Sequence, residues 1–103
     1  MPEFAHPFAG NKYERKLTKE EVIRAIRYSI AAEYEAIQLY VQLAESLDDK
    51  LAKEVLMDVA NEERVHAGEF LRLLKHLDPD EEKYYQEGVE EVEEMMEKLG
   101  IEK

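Results

Sequence analysis

The chain has no cysteine, which excludes disulfides, thiolate zinc sites, iron–sulfur clusters and thiol catalysis. Tryptophan is also missing, and glycine and proline are scarce, at four and three residues in 103. No apolar run approaches the ~20 residues of a membrane span, and the N-terminus has neither a basic n-region nor an apolar h-region. Positive charge is in deficit, with 25 acids against 14 Lys and Arg and a net charge of −11. That balance argues against nucleic acid or an anionic membrane surface as a partner. The chain therefore reads as soluble and intracellular.

What is there belongs to a folded protein: 45% of the residues are hydrophobic and 38% are charged. A chain of this length buries roughly 60–65% of the surface its unfolded form exposes, which allows one small domain and no second core. Residues 1–16 carry no clean period, but Phe4, Phe8 and Tyr13 make this N-terminal arm too apolar for an inert tail. Thr18 followed by Glu21 forms a capping box, and a first helix follows over 18–47 with Val22, Ile26, Ile30, Ile37, Tyr40 and Ala44 at steps of three and four. After the Asp48-Asp49 turn a second helix spans 50–77, striped by Ala52, Leu56, Val59, Ala60, Ala67, Phe70, Leu74 and Leu77. So short a linker makes the pair an antiparallel hairpin. Asp78-Pro79 caps and opens a helical region over 79–99 that Gly88 could divide in two and Gly100 ends. Residues 78–103 hold eleven acids and three lysines, the pattern of a solvated helix face.

Two acids interrupt the apolar stripes. Glu33 lies within about 40° of Ile26, Ile37, Tyr40 and Ala44 around helix 1, and Glu63 lies within about 40° of the stripe of helix 2. His66, one turn beyond Glu63, leans to the same side. Burying an unpartnered carboxylate costs several kcal/mol, and no Lys or Arg occupies either stripe to offset it. Glu63-Arg64-Val65-His66 is a Glu-x-x-His step, whose oxygen and nitrogen donors on adjacent turns suit iron or manganese. A carboxylate-bridged di-metal site in a four-helix bundle takes one Glu from each of two helices and a Glu-x-x-His from each of the other two. This chain carries one of each. It encodes half a site on half a bundle, and two copies about a two-fold axis would supply the rest.

The run Glu33-Tyr34-Glu35-Ala36-Ile37-Gln38-Leu39-Tyr40, with Asn61-Glu62-Glu63-Arg64-Val65-His66-Ala67-Gly68-Glu69-Phe70, resembles the ferritin-like superfamily. Within it the likeness is to the encapsulated ferritins, the half-length proteins housed inside encapsulin nanocompartments. Archaeal encapsulins that carry such a domain at their N-terminus are similar through this region. The resemblance implies an all-α, ferritin-like half-bundle: a long antiparallel hairpin plus a short C-terminal helix, completed as a four-helix bundle by dimerisation. It implies a di-iron centre at the homodimer interface, with dimers assembled into a ring, commonly a decamer. The activity it implies is a ferroxidase that oxidises Fe(II) to Fe(III) with dioxygen, for iron storage inside a cytoplasmic encapsulin shell. By position, Glu33 is the helix 1 ligand, Glu63 and His66 are the helix 2 pair, and Tyr40 is the tyrosine beside the centre. Ala32 stands where some members have a second acid that helps form an outer metal-entry site, which leaves Glu35 alone there, and Leu39 stands where many have tryptophan, so the packing next to the metal differs.

Two other readings use the same residues. A rubrerythrin-like peroxide reductase would share the di-iron ligands but usually draws electrons through a cysteine-rich module, which this chain lacks. A non-catalytic dimer would use the polar groups to fix register or to hold a metal without turnover.

Overall fold

A computed structural model describes residues 15–103, so the expected N-terminal arm lies almost wholly outside the described residues. Three helices follow in order: α1 (Lys19–Glu45), α2 (Lys50–Leu77) and α3 (Pro79–Leu99).

The start of α1 is the capping box read from the sequence. Thr18 Oγ1 accepts from the Glu21 amide at 3.2 Å, and Glu21 Oε1 accepts from the Thr18 amide at 2.8 Å. The Arg15 guanidinium grips both Glu21 oxygens, at 2.8 and 2.9 Å. With the Thr18 amide, it lowers the Glu21 pKa to about 2. At its other end α1 stops at Glu45, two residues short of the expected end, with Ser46 as the C-cap. Lys53, reaching back from α2, donates to the Ala44 and Leu47 carbonyls, both at 2.8 Å. Ala44 lies in the last turn of α1 and Leu47 in the loop that follows, so one lysine ties the end of α1 to the hairpin turn. Asp49 starts α2 by accepting from the Ala52 amide at 2.8 Å.

The two long helices pack along a seam of small residues. Ile30 and Ala44 of α1 and Ala60, Ala67 and Leu74 of α2 are the buried residues, and Ala60 is wholly enclosed. Alanines in the seam let the backbones approach closely, which leaves little lateral room for the two glutamates in the same stripes.

α3 behaves differently. It runs unbroken through Gly88 to a Schellman ending, in which Gly100 (φ 72°) donates to Glu97 O and Ile101 donates to Met96 O at 2.8 Å. No residue of α3 is buried. The extents of 48 × 44 × 21 Å and radius of gyration of 17.9 Å far exceed the roughly 12–13 Å of a compact chain this long. The hairpin sets one long dimension and α3 projects along the other. Asp78 alone joins α2 to α3 and, against expectation, its side chain makes no cap hydrogen bond. It faces Arg27 instead, 3.5 Å from Nη2. Among the described residues, no helix is long and apolar enough to cross a membrane.

Candidate metal centre

Midway along the hairpin the seam turns polar. Glu33 occupies the turn of α1 between Ile30 and Ile37, and Glu63 the turn of α2 between Ala60 and Ala67. Helical periodicity that elsewhere delivers apolar side chains to the seam here delivers two carboxylates. His66, three residues after Glu63, completes the group. One donor atom from each of Glu33, Glu63 and His66 lies within 4.8 Å of the others.

Burial grades across this group. The Glu33 and Glu63 side chains are 16% and 20% exposed, and His66 is 49% exposed. Oε2 of Glu33 is buried and has no hydrogen-bond partner. His66 Nδ1 lies 3.8 Å from Glu33 Oε2 and 3.7 Å from Glu63 Oε2. Those distances are too long for hydrogen bonds. They suit two donors on one ion instead, since ligands ~2.1 Å from a metal sit about 3–3.8 Å apart. An orphaned buried carboxylate oxygen beside an imidazole nitrogen at that spacing is a donor set with room for a cation. Two oxygens and a nitrogen match the ligands that iron and manganese accept.

Three donors do not fill a coordination sphere, and the group opens outward on the His66 side. Leu39 and Leu43 of α1 and Val55 and Leu73 of α2 are large apolar residues left exposed on the hairpin. Tyr40 lies seven residues after Glu33 on the same stripe, partly buried. Its hydroxyl makes no hydrogen bond among the described residues. Glu35 and Glu62 are exposed and outside the group.

Sequence reasoning did not find the other polar cluster, in which Arg27 of α1 meets Asp78 and Glu81 at the head of α3. All three are charged residues on helices rich in charge. Neither periodicity nor spacing marks a contact across more than fifty positions.

Comparison with known proteins accords with this geometry. The rubrerythrin family profile matches residues 24–102. The chain is 43% identical over 89 residues to the ferritin-like–encapsulin shell fusion protein of Pyrococcus furiosus, covering 86% of this chain and 25% of that protein. It is 42% identical over 76 residues to the encapsulin nanocompartment cargo protein EncC of Myxococcus xanthus, covering 74% of this chain and 58% of that one. It thus spans a quarter of one curated relative and just over half of the other. The crystal structure of the encapsulated ferritin domain from Pyrococcus furiosus superposes with a TM-score of 0.80 at 40% identity, covering 91% of this chain and 93% of that one. An all-α hairpin with a third helix is the fold of that domain. The chain belongs to the rubrerythrin family of ferritin-like proteins, on the side of the encapsulated ferritins.

Proposed function

We propose that the protein is a ferroxidase whose di-iron centre forms where two copies of the hairpin meet, and that it serves iron storage as encapsulin cargo. The observation that carries the reading is the buried, unpartnered Glu33 Oε2 facing Glu63 and His66. Family membership supports iron as the metal. The relatives' names, a shell fusion and a nanocompartment cargo protein, support the encapsulin setting.

Each protomer contributes half the ligands. Glu33 and Glu63 sit in the seam with His66 at its open edge, and a two-fold copy brings three more. Leu39, Leu43, Val55 and Leu73, exposed on the hairpin, give that copy apolar surface to bury. Burial removes water from the carboxylates and strengthens their hold on a cation. Bound Fe(II) supplies the electrons that dioxygen takes. Glu33, Glu63 and His66 would hold the iron, and the Tyr40 hydroxyl beside them would orient a ligand. Further association of dimers into a ring, with α3 reaching beyond the hairpin, completes the reading.

Anaerobic Fe(II) titration followed by rapid mixing with dioxygen tests it. We expect about one iron per chain at the centre, and loss of fast oxidation in Glu33→Ala and in His66→Ala. A variant that oxidises Fe(II) as fast as the parent removes its residue from the site. Peroxide consumed in preference to dioxygen would favour the reductase chemistry that the family also includes. Failure to bind iron would leave a structural dimer.

A further inference from the structure

The direction of α3 is weakly set by the backbone and by apolar packing. Pro79 fixes its own φ near −65° and disfavours the helical region for Asp78, which sits at φ −136° and ψ 81°, outside both the helical and the regular extended regions. These are the only free dihedrals between the two helices. Just beyond the joint, a cavity of about 210 Å³ opens between Leu71, Leu74 and Lys75 of α2 and Tyr85 of α3. No α3 side chain is buried to resist rotation.

Charge makes the crossing that packing does not. Arg27 of α1 donates from Nε to Glu81 Oε2 at 3.3 Å and from Nη2 to Glu81 Oε1 at 2.5 Å. The same Nη2 lies 3.5 Å from Asp78 Oδ2. One turn along α3, the Tyr85 hydroxyl donates to Glu81 Oε2. Glu81 is thus gripped by a planar fork from one helix and a phenol from its own, an arrangement with a single preferred orientation. Its titration agrees: the Arg27 guanidinium, then the Tyr85 hydroxyl, hold its carboxyl below the usual range. The Tyr85 hydroxyl, bonded to that carboxylate, is pushed up to about 12.

A clamp at the root of a long helix acts with leverage. From Glu81 to Lys98 α3 extends ~26 Å, so a 10° swing at the clamp moves its far end by ~4–5 Å. A gap of only ~0.5–1 Å already forfeits a quarter to a half of a packing contact. Val89, Val92 and Leu99 lie exposed along this arm, so where they point is decided at Arg27.

We propose that Arg27 is a positioning residue which, through Glu81, Asp78 and Tyr85, sets the angle of α3 against the hairpin. Copies of the chain then associate beyond the dimer only while that angle is held. The statement about association rests on the dimer and ring of the proposed function, whereas the statement about the angle does not.

The cysteine-free sequence makes the test direct. Spin labels at Gln38→Cys on α1 and Lys98→Cys on α3, diluted with unlabelled chain, report the intrachain distance by electron–electron resonance. The parent is expected to give one narrow distribution, and Arg27→Ala one at least twice as wide, with helicity by circular dichroism unchanged. Should Arg27→Ala fail to fold, Glu81→Gln removes the charge with little change of shape and is expected to widen the distribution likewise. By sedimentation, the clamp variants are expected as dimers under conditions where the parent forms larger assemblies. Anaerobic Fe(II) binding is expected to be unchanged, since Arg27 lies outside the three-donor group. An unwidened distribution in the folded clamp variant overturns the proposal, and a variant that forms the parent's larger assemblies overturns its association half. A parent that stops at the dimer overturns only the association half, and loss of iron binding by Glu33→Ala is scored separately.

Discussion

Replacing Glu33 with methionine should reverse the stability order of two proteins according to whether metal is present. Without metal, Glu33 Oε2 is buried and lacks a partner, and an unpaired buried acceptor costs about 1–3 kcal/mol. A Glu63 oxygen lies within 4.8 Å of it. Like charges at that spacing repel by ~1 kcal/mol in water-like surroundings and by ~3 kcal/mol at an effective dielectric of 20. His66, 3.8 Å away, offsets part of this whenever it is protonated. Methionine keeps the unbranched stem, a similar volume and a high helix propensity, so it removes both penalties without opening a cavity. Taking the low end of each effect, Glu33→Met in EDTA should be more stable by ~1–2 kcal/mol, or roughly 4–16 °C in Tm for a domain of this size. A metal that binds only the folded state adds about 2.7 kcal/mol at a hundred times its Kd. The parent collects that gain and the variant does not. Thermal unfolding by circular dichroism at fixed protein concentration, in EDTA and with Mn(II), reads both orders. A variant melting below the parent in EDTA would refute the reasoning, because Glu33 would then be stabilising the metal-free fold.

Other substitutions probe the frame around the site. Leu74→Ala, at a position 2% exposed in the hairpin seam, should cost about 2–5 kcal/mol, read from the urea midpoint. Gly88→Ala meets nothing within 4 Å and should gain ~0.5–1 kcal/mol in α3. A loss there would mean that another backbone occupies the space. Glu21 should titrate near 2 by NMR, against an ordinary 4.5, and Arg15→Ala should return it toward that value. Because the folded-state pKa is lowered, this contact stabilises above the ordinary value and is lost as pH falls from about 4.5 to about 2.

The parts of the fold legible in the sequence were those written in local chemistry. Thr18 and Glu21 mark a helix start because the capping box needs only four residues, and the seam repeats at the helical period. Glu33, Glu63 and His66 stood out for the same reason, being polar groups where the period demands apolar ones. The end of α1 was less legible, because Lys53 closes it from the next helix and nothing near Ser46 announces the stop. Asp78 illustrates the limit. Its sequence context is that of an N-cap, yet its carboxylate serves Arg27, 51 positions away. The angle of α3 depends on that encounter and on two dihedrals at one residue, neither of which leaves a periodic trace. Gly88 could divide α3, but in an exposed helix a glycine costs only ~1 kcal/mol and the flanking turns absorb it.

The single-residue joint at Asp78 also constrains how such a chain can vary over evolutionary time. Because α2 ends at Leu77 and α3 begins at Pro79, no slack exists to absorb an insertion or a deletion. One residue added or removed there would replace the two Asp78 dihedrals that aim the emerging helix. Tyr85, Val89, Val92 and Leu99 would be carried round to a new bearing, and Glu81 would leave Arg27. Nothing in the hairpin would move, and its three donors would keep their spacing. A length change at this joint would thus re-aim one surface while leaving the chemistry of another intact.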